Sequence, residues 1–433
     1  MSKAWFFLSY QLQSVREFVP LTTVTPTAEE KLGRFSTPIV DPLNGRPFPD
    51  RTIPPNRLDP VALRLLEFWP APNTTGALNF TSPDSLQPFD NPQVIARFDL
   101  IRSSRSKWSL RTVWDSSPYT STHVFSRFST VEPLRSYGQS VANTRTLGRS
   151  LVNVASLHWF RRPYVAGPSN PKPEAAQGLG IAELLQSEVD RSGVPTFEVQ
   201  GYATIGDSSL LGPVNVGNWQ VKDDISFARN QHSVKLGAEF RQHYNFYGLQ
   251  RRSRFQFFDR YSGNAFSDFL LGYPAVTTLG GEDMRGSFHQ NSTYFYLVDE
   301  WRWSPRWVLS AGLRYELRLP WREKRGFMAN FDPRSGRLVP PLQDLTLGPG
   351  DSGRFLGDFP LVEWRWRDGL LPRLGIAYRA RENTVVRASY GMYSNELDLN
   401  MVQDLGRNPR PGAERAIFQA RLDYPTLLLS TPF

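Results

Sequence analysis

The sequence predicts an all-β protein built as an antiparallel transmembrane β-barrel, and its alternation of apolar and polar residues is the main observation behind this prediction. Residues 291–319 form two alternating arms on either side of Ser304 and Pro305. One face of the second arm is apolar and the other is polar: Leu309, Ala311, Leu313, Tyr315 and Leu317 against Ser310, Gly312, Arg314, Glu316 and Arg318. A barrel strand crosses a membrane with about 9–11 such residues, apolar toward lipid. No apolar run approaches the ~20 residues of a helical span, so a helical membrane protein is excluded.

Three further pairs of segments share this alternation and a tight turn. They are 93–101 with 107–115, 218–228 with 232–246, and 373–380 with 384–393. Asp223 interrupts the apolar face of the second pair, between Val221 and Ile225, and we expect a β-bulge there. Aromatic residues crowd the arm before the turn at 304–305 and the turn itself, where a membrane–water girdle is expected: Tyr294, Phe295, Tyr296, Trp301, Trp303 and Trp307.

Long connections separate the hairpins, at about 16–92, 247–290 and 320–371, and they hold much of the proline and glycine. Loops of this length are uncommon in compact soluble domains, whereas outer-membrane barrels have short periplasmic turns and long external loops. If every tight turn is periplasmic, every long loop emerges outside the cell. Short helices are expected within the loops, one beginning at Asp59-Pro60, an N-cap followed by proline, and one over 266–271.

Composition narrows the classes of function. The chain has no cysteine, which removes disulfides, cysteine-ligated zinc and thiol catalysis. It carries a net charge of +9, and 43 of its 50 basic residues are arginine. These arginines either line a surface that attracts phosphates or carboxylates, or are solvated loop charges. They are spread along the whole chain, so the sequence predicts no nucleic-acid binding, which needs a clustered basic stripe.

No motif in the sequence predicts catalysis, metal binding or a cofactor, and we expect the protein not to be an enzyme. The stretch GDSG at 350–353 matches the core of a serine-protease nucleophile motif, but Arg354 replaces a glycine of that motif. No local signature surrounds any histidine that could serve as the base. The five histidines are scattered, and the two that share a strand, His232 and His243, fall on opposite faces.

Charged residues opposite the apolar faces are the candidate functional residues. Burying a basic side chain against lipid costs about 2–4 kcal/mol near the membrane midplane, so these residues are expected to face a lumen. The candidates are Lys235, Glu239, Arg241, Arg314, Glu316 and Arg318. Gly312 lies on the same face, where a glycine suggests close approach of another backbone or a bend in the wall.

Segments distributed over almost the whole chain carry a family resemblance. They are AWFFLSYQ (4–11), VTPTAEEKLGRFS (24–36), DPLNGRPFPDRTIPPNRLDPVALRLLEFWPAPN (41–73), GVPTFEVQGYATIG (193–206), QHSVKLGAEFR (231–241), GNAFSDFLLGYP (263–274), YFYLVDEWRWSPRWVLSAGLRYE (294–316), NFDPRSGRLV (330–339) and LPRLGIAYRARENTVVRASYGMYSNE (371–396). In this order they resemble the β-barrel of Oar-like TonB-dependent transporters, the large outer-membrane receptors common in acidobacteria and myxobacteria.

The resemblance implies energised uptake of an unknown bulky ligand, with outer-membrane lipid and the TonB energising complex as partners. Members of that family carry a signal peptide, a regulatory-like domain, a plug and a TonB box before this region, and none of these is recognised in the sequence. Residues 1–433 therefore resemble part of a roughly 22-stranded plugged barrel, which is not expected to transport alone. The expected location is the outer membrane, although a chain without a signal peptide is not expected to be exported as it stands.

A second interpretation of the same alternation is a soluble or surface-exposed all-β protein, such as a glycan-binding adhesin. The two interpretations differ in where the apolar face lies, against lipid in a barrel or against a second sheet in a sandwich. Detergent dependence would favour the barrel, and a monodisperse soluble monomer would favour the sandwich.

Overall fold

The computed structural model describes residues 3–83, 86–170, 174–181, 184, 188–207, 210–319, 321–324, 330–332, 337–339, 354–355, 359–360, 366–395, 415–418 and 425–431. Within these residues, eleven strands follow one another in a single antiparallel sheet, each paired with its neighbours in chain order. We number them β1 Lys3–Phe18, β2 Leu86–Ser103, β3 Ser106–Ser121, β4 Thr130–Thr146, β5 Leu151–Pro168, β6 Leu210–Arg229, β7 His232–Arg251, β8 Gly281–Ser304, β9 Trp307–Arg318, β10 Leu370–Arg381 and β11 Thr384–Gly391.

Shorter elements lie between these strands. The helices are α1 Ala28–Lys31, α2 Pro60–Leu65, α3 Glu174–Leu179, α4 Glu188–Arg191 and α5 Ala265–Leu270, with 3₁₀ turns at Pro49–Arg51, Pro55–Arg57, Leu66–Phe68, Ser126–Phe128 and Trp366–Gly369. A second sheet contains Thr196–Val199, Arg254–Phe257, Val276–Leu279 and Arg415–Phe418. The remaining short strands are Thr22–Thr23, Phe80–Thr81, Arg322–Glu323, Asn330–Asp332, Arg337–Val339, Arg354–Phe355 and Phe359–Pro360.

The register of the large sheet gives it one apolar face and one polar face. Residues paired directly across β1 to β9 form an almost wholly apolar row: Phe6, Phe98, Leu110, Val141, Leu157, Val221, Phe240, Thr293 and Leu317. The residues adjacent to these in β2 to β9 also pair directly and form a polar row: Arg97, Arg111, Ser140, His158, Gln220, Arg241, Ser292 and Arg318. Adjacent residues of a strand point to opposite faces, so these rows define the apolar face and the polar face.

The apolar face is not covered as a sandwich core would be. Leu297 and Leu313 pair across β8 and β9, and they remain 50% and 47% exposed. Side chains in a sandwich core pack against a facing sheet, whereas barrel side chains on this face contact lipid. The exposed apolar rows therefore support the predicted transmembrane barrel over the soluble sandwich.

The tight turns and the long connections lie at opposite ends of the sheet. The pairs β2–β3, β4–β5, β6–β7, β8–β9 and β10–β11 are each joined by two to four residues. The connections at the other end are 19–85, 122–129, 169–209, 252–280 and 319–369. The strands run further than the sequence indicated, since β7 extends to Arg251 and β8 begins at Gly281, within the predicted 247–290 connection.

Strands β4 and β5 had no counterpart among the predicted hairpins. Their apolar faces include polar side chains, Gln139 in β4 and Arg161 in β5, so the period of two is weak in both segments. Although their alternation is weak, β4 and β5 are held in the sheet because they hydrogen-bond to each other and to β3 and β6. In the described part of the chain, β1 and β11 each pair on one side, so the sheet is a partial barrel wall.

The expected β-bulge at Asp223 is wrong. Asp223 pairs with Ala155 on one side and Ala238 on the other, with continuous register in both ladders. Its carboxylate Oδ1 accepts a hydrogen bond of 2.5 Å from Asn153 Nδ2 on β5. A neighbouring amide on the same face therefore accompanies this carboxylate, and the strand continues without distortion.

The long connections pack together into a folded cap with its own hydrophobic core. This core joins residues from four connections, 19–85, 122–129, 169–209 and 252–280, together with Leu429. Trp69 belongs to this core and is 1% exposed, and its indole N–H donates to the Ala203 carbonyl at 2.8 Å. Tyr202 in turn donates to Glu30 Oε1 at 2.7 Å. The connections therefore form one structure rather than separate loops.

Both predicted loop helices are present, and side chains begin them as expected. The Asp59 carboxylate accepts from the backbone N–H groups of Val61 and Ala62 at 2.8 and 3.0 Å, which caps α2. Asn264 caps α5 in the same way, accepting from Phe266 and Ser267 at 2.9 and 3.0 Å. The two helices pack on the cap core, which makes these caps part of the cap's structure.

Candidate functional site: the polar face and the cap

The first group of candidate residues lies at the centre of the polar face, on β7. Glu239 is only 6% exposed, and Arg241 Nη2 donates to its carboxylate at 2.5 Å. These residues are two apart on one strand, so period-two geometry places them side by side. The pair gives this part of the wall a neutralised, nearly buried carboxylate.

The second group lies two strands away on β9, around Glu316, which is 7% exposed. Arg314 Nε donates to one carboxylate oxygen at 2.6 Å, and Arg318 donates to the other. Ser394 Oγ also donates to Glu316, at 2.8 Å. Two guanidinium groups on one carboxylate leave this group with a local excess of positive charge.

Tyr294 on β8 connects the two groups, and the sequence interpretation missed it. It pairs directly with Glu239 on one side and Glu316 on the other, and it is 1% exposed. The guanidinium groups of Arg241 and Arg314 lie 5.5 and 4.7 Å from its ring centroid. Cation–π contacts of this kind hold guanidinium planes in place. Tyr294 was predicted to belong to the aromatic girdle, and this is wrong, because it lies on the polar face.

Lys235 belongs to a further cluster nearer the tight turns. Its Nζ lies 3.9 Å from Asp224 Oδ2, and Lys222 Nζ lies 3.0 Å from the same oxygen. Tyr296 donates its hydroxyl hydrogen bond to Asp224 as well. Tyr296 was also assigned to the girdle, but it shares the polar face with these charges. The six candidates therefore divide into three clusters, and their exposure to a lumen stays a prediction.

Tryptophans surround the turn between β8 and β9, where the girdle was predicted. Trp303 is 56% exposed, and its ring lies 6.2 and 6.4 Å from the rings of Trp301 and Trp307. Trp307 stacks on Tyr378 of β10 at 4.2 Å. Indole rings at this level suit a membrane–water interface. Gly312, in the middle of β9, approaches the neighbouring strand closely, since a Cβ there would lie 3.2 Å from Val298 Cγ2.

The cap contains a cluster of buried charges that the sequence did not reveal. Asp190, Asp207 and Arg252 are 0%, 4% and 1% exposed. Asp190 accepts from the Ser253 N–H and hydroxyl, each at 2.8 Å, and Asp207 accepts from the Val194 N–H at 2.7 Å. Burial raises the pKa of Asp207 and lowers the pKa of Arg252, because it disfavours the charged form of each.

The described residues contain no group of three or more His, Cys, Asp or Glu placed to hold a metal ion. Among the helices of the described ranges, none has the length and apolar composition of a membrane span. The GDSG stretch at 350–353 lies outside the described residues, apart from the neighbouring Arg354.

A wall with a lipid-type apolar face, a charged opposite face and a cap at one end defines a β-barrel membrane protein. The family model of the outer membrane beta barrel domain matches residues 2–433. The chain belongs to this outer-membrane β-barrel family, and the predicted fold class and outer-membrane location are confirmed. None of the curated proteins compared with the sequence matches it.

Solved structures with similar folds include the outer membrane transporter YddB from Escherichia coli (13% identity, TM-score 0.37, 72% of this chain and 41% of that chain). The ferric-catecholate import receptor Fiu from Escherichia coli K12 (10%, 0.39, 70% and 43%) and the FrpB iron transporter from Neisseria meningitidis (12%, 0.36, 77% and 40%) are also similar. The chain spans about two fifths of the length of these transporters. Structural similarity at this level does not identify a ligand or an energy source for this chain.

Adjacent cysteines test which face of the wall meets water. The chain has no native cysteine, so Gln220→Cys and Val221→Cys each introduce one thiol, on the polar and the apolar face respectively. In intact outer membranes, we expect a hydrophilic maleimide to label Gln220→Cys at least tenfold faster than Val221→Cys, because the thiolate forms poorly in lipid. Both should react after denaturation. Equal rates in the membrane would contradict the assignment of the faces.

Proposed function

We propose that this chain forms the membrane wall and external cap of a TonB-dependent transporter of the Oar-like type. The observation that carries the proposal is a strongly charged polar face, with Glu239 and Glu316 nearly buried in it, directly behind a lipid-type apolar face. A barrel that only anchors a surface domain does not need two nearly buried carboxylates paired with three arginines on its polar face. A passage for a polar ligand needs such a lining.

In this proposal the cap captures a bulky ligand, and the ligand then passes along the polar face. The cap suits capture because four connections share one core, which holds its surface in a fixed shape. Rigid surfaces lose less conformational entropy on binding than separate loops do. The arginines around Glu239 and Glu316 would attract acidic groups of the ligand. The described residues supply wall and capture surface, and they do not transport by themselves.

The energy source in this proposal is the TonB complex, acting through parts of the transporter other than this wall. The role is non-enzymatic and involves neither a resident metal nor nucleic acid. Its partners are outer-membrane lipid, the energising complex and a large ligand whose identity the polar face does not specify. The ligand's movement depends on opening a path beside the polar face, and that dependence can be measured.

Energised opening is tested with the Gln220→Cys variant in the protein's own cells. A membrane-impermeant maleimide is applied from outside, with and without an uncoupler of the proton gradient. We expect labelling to be several-fold faster in energised cells, because opening exposes the polar face, and slow in cells lacking the TonB complex. Val221→Cys serves as the control and should not respond. If the labelling rate of Gln220→Cys changes neither with the uncoupler nor with the loss of the TonB complex, the proposal is refuted.

A further inference from the structure

A small cleft on the cap has the features of a ligand site. It has a volume of about 310 Å³, within the lower range of small-molecule pockets. It lies between residues 67–70 and 80–83 of the first connection and residues 124–127 of the second. Its apolar walls are provided by Phe68, Pro70, Phe80, Pro83, Val124 and Phe125. The cleft is separate from the charged clusters of the polar face.

Among the described residues that line this cleft, Arg127 is the one cation. Its guanidinium carbon lies 4.3 Å from the ring centroid of Phe68 and 4.9 Å from that of Phe128. The two rings contact each other edge to face, with centroids 5.8 Å apart. The guanidinium is therefore held in place by packing. In the described part of the chain, it makes no hydrogen bond and no ion pair.

A fixed guanidinium with unused N–H groups is prepared for an oxyanion. Its planar fork matches the two oxygens of a carboxylate. Because the rings already hold the side chain, binding would cost little of the rotamer entropy that an arginine normally loses. The aromatic rings beside it exclude water from part of the site, which strengthens the electrostatic attraction.

We propose that the cleft binds the carboxylate of a molecule with an apolar body, or the carboxylate end of a larger ligand. The apolar walls would contact the body, and Arg127 would take both carboxylate oxygens. Glu67 at the cleft repels anions, and it disfavours a phosphate dianion more than a singly charged carboxylate. This binding does not rest on transport, so it can be measured on the chain in detergent.

The test uses the purified full chain in detergent and 4-(trifluoromethyl)phenylacetate, observed by fluorine NMR. The neutral 4-(trifluoromethyl)benzyl alcohol is the matched probe without the carboxylate. We expect the carboxylate to bind at least tenfold more tightly than the alcohol. Arg127→Gln should abolish this difference, and Glu67→Gln should strengthen binding of the carboxylate. Arg34→Gln, which removes an exposed arginine paired with Glu29 on the same cap, should change nothing.

Three outcomes would overturn the proposal. They are equal binding of the two probes, a preference for the carboxylate that survives in Arg127→Gln, and displacement of the probe by inorganic phosphate at lower concentration than by acetate. Hydrogen exchange of the 123–129 segment checks that the cap of each variant is folded. If Arg127→Gln loosens that segment, Arg127→Lys replaces it, since lysine keeps the charge without the fork. Wild-type affinity in Arg127→Lys would then overturn the role of the fork.

Discussion

Leu313→Arg is expected to abolish or strongly reduce insertion of the chain into the outer membrane. Leu313 lies on the apolar face of β9, between Leu297 of β8 and Pro372 of β10, and is 47% exposed. In lipid this position would present an arginine to hydrocarbon, at a cost of about 2–4 kcal/mol near the midplane. The measurement is the fraction of exported chain that becomes heat-modifiable and protease-protected in membranes.

The matched control is the next residue, Arg314→Leu. Arg314 lies on the polar face, and Glu316 retains Arg318 as a partner when Arg314 is removed. Insertion should therefore remain close to that of the unmodified chain. Each variant changes the charge by one unit at neighbouring positions of one strand. A difference in membrane insertion between the two variants therefore reports which face of the strand meets lipid. Equal insertion of the two would remove the lipid-facing assignment from β9.

The sequence predicted those strands whose two faces differ clearly. In β9 the apolar and polar residues alternate without exception from Leu309 to Arg318, and the structure has the strand at these residues. In β4 the apolar face contains Gln139, and the polar face contains Gly138 and Ser140. A face that is only weakly apolar gives a weak period, so β4 could be located only through its pairing with β3 and β5.

The clusters of the polar face depend on register, which alternation does not specify. Period two correctly grouped Arg314, Glu316 and Arg318 on one face. It could not place Tyr294 between Glu239 and Glu316, because that requires the offset of β8 against both neighbours. The tyrosine was assigned to the girdle for its residue type, although its position in the alternation places it with the polar residues.

The cap was beyond prediction because its contacts join distant parts of the chain. The hydrogen bond from Trp69 to Ala203 and that from Tyr202 to Glu30 both cross from one connection to another. Proline and glycine correctly marked the connection that holds Glu30 and Trp69, but 169–209 was not among the predicted connections. Composition also carries no information about which connections meet. The burial of the charged residues in the cap also results from contacts between distant parts of the chain. It leads to a prediction about the stability of the cap.

Arg252→Met is expected to unfold the cap locally while the membrane wall remains inserted. Arg252 donates to the Val189 carbonyl and, at 3.0 Å, to Ser192 Oγ. Its positive charge acts on both Asp190 and Asp207, whereas Arg127 acts on Asp207. Removing one partner of a buried ion cluster typically costs about 3–5 kcal/mol, because the remaining charges stay buried and uncompensated. Hydrogen exchange of residues 188–207 should therefore accelerate by roughly a hundredfold or more.

Arg254→Met, two residues along the chain, is the matched control. Arg254 is 38% exposed and lies 3.8 Å from Glu198, so its loss should cost no more than about 1 kcal/mol.

The effect of Arg252→Met should also depend on pH. Burial already places the pKa of Asp207 above its ordinary value of 3.8, so the folded cap binds this proton more tightly than the unfolded chain. The contribution of Asp207 to the stability of the folded cap therefore falls as pH rises from 3.8 through the pKa that Asp207 has in the folded cap. Removing Arg252 raises this pKa further, because the positive charge that favours the carboxylate is lost. The defect of Arg252→Met should be smaller at pH 5 than at pH 7, and Asp207→Asn in the same chain should relieve part of it. A defect that is equal at both pH values and unchanged by Asp207→Asn would mean that lost packing, rather than uncompensated charge, destabilises the cap.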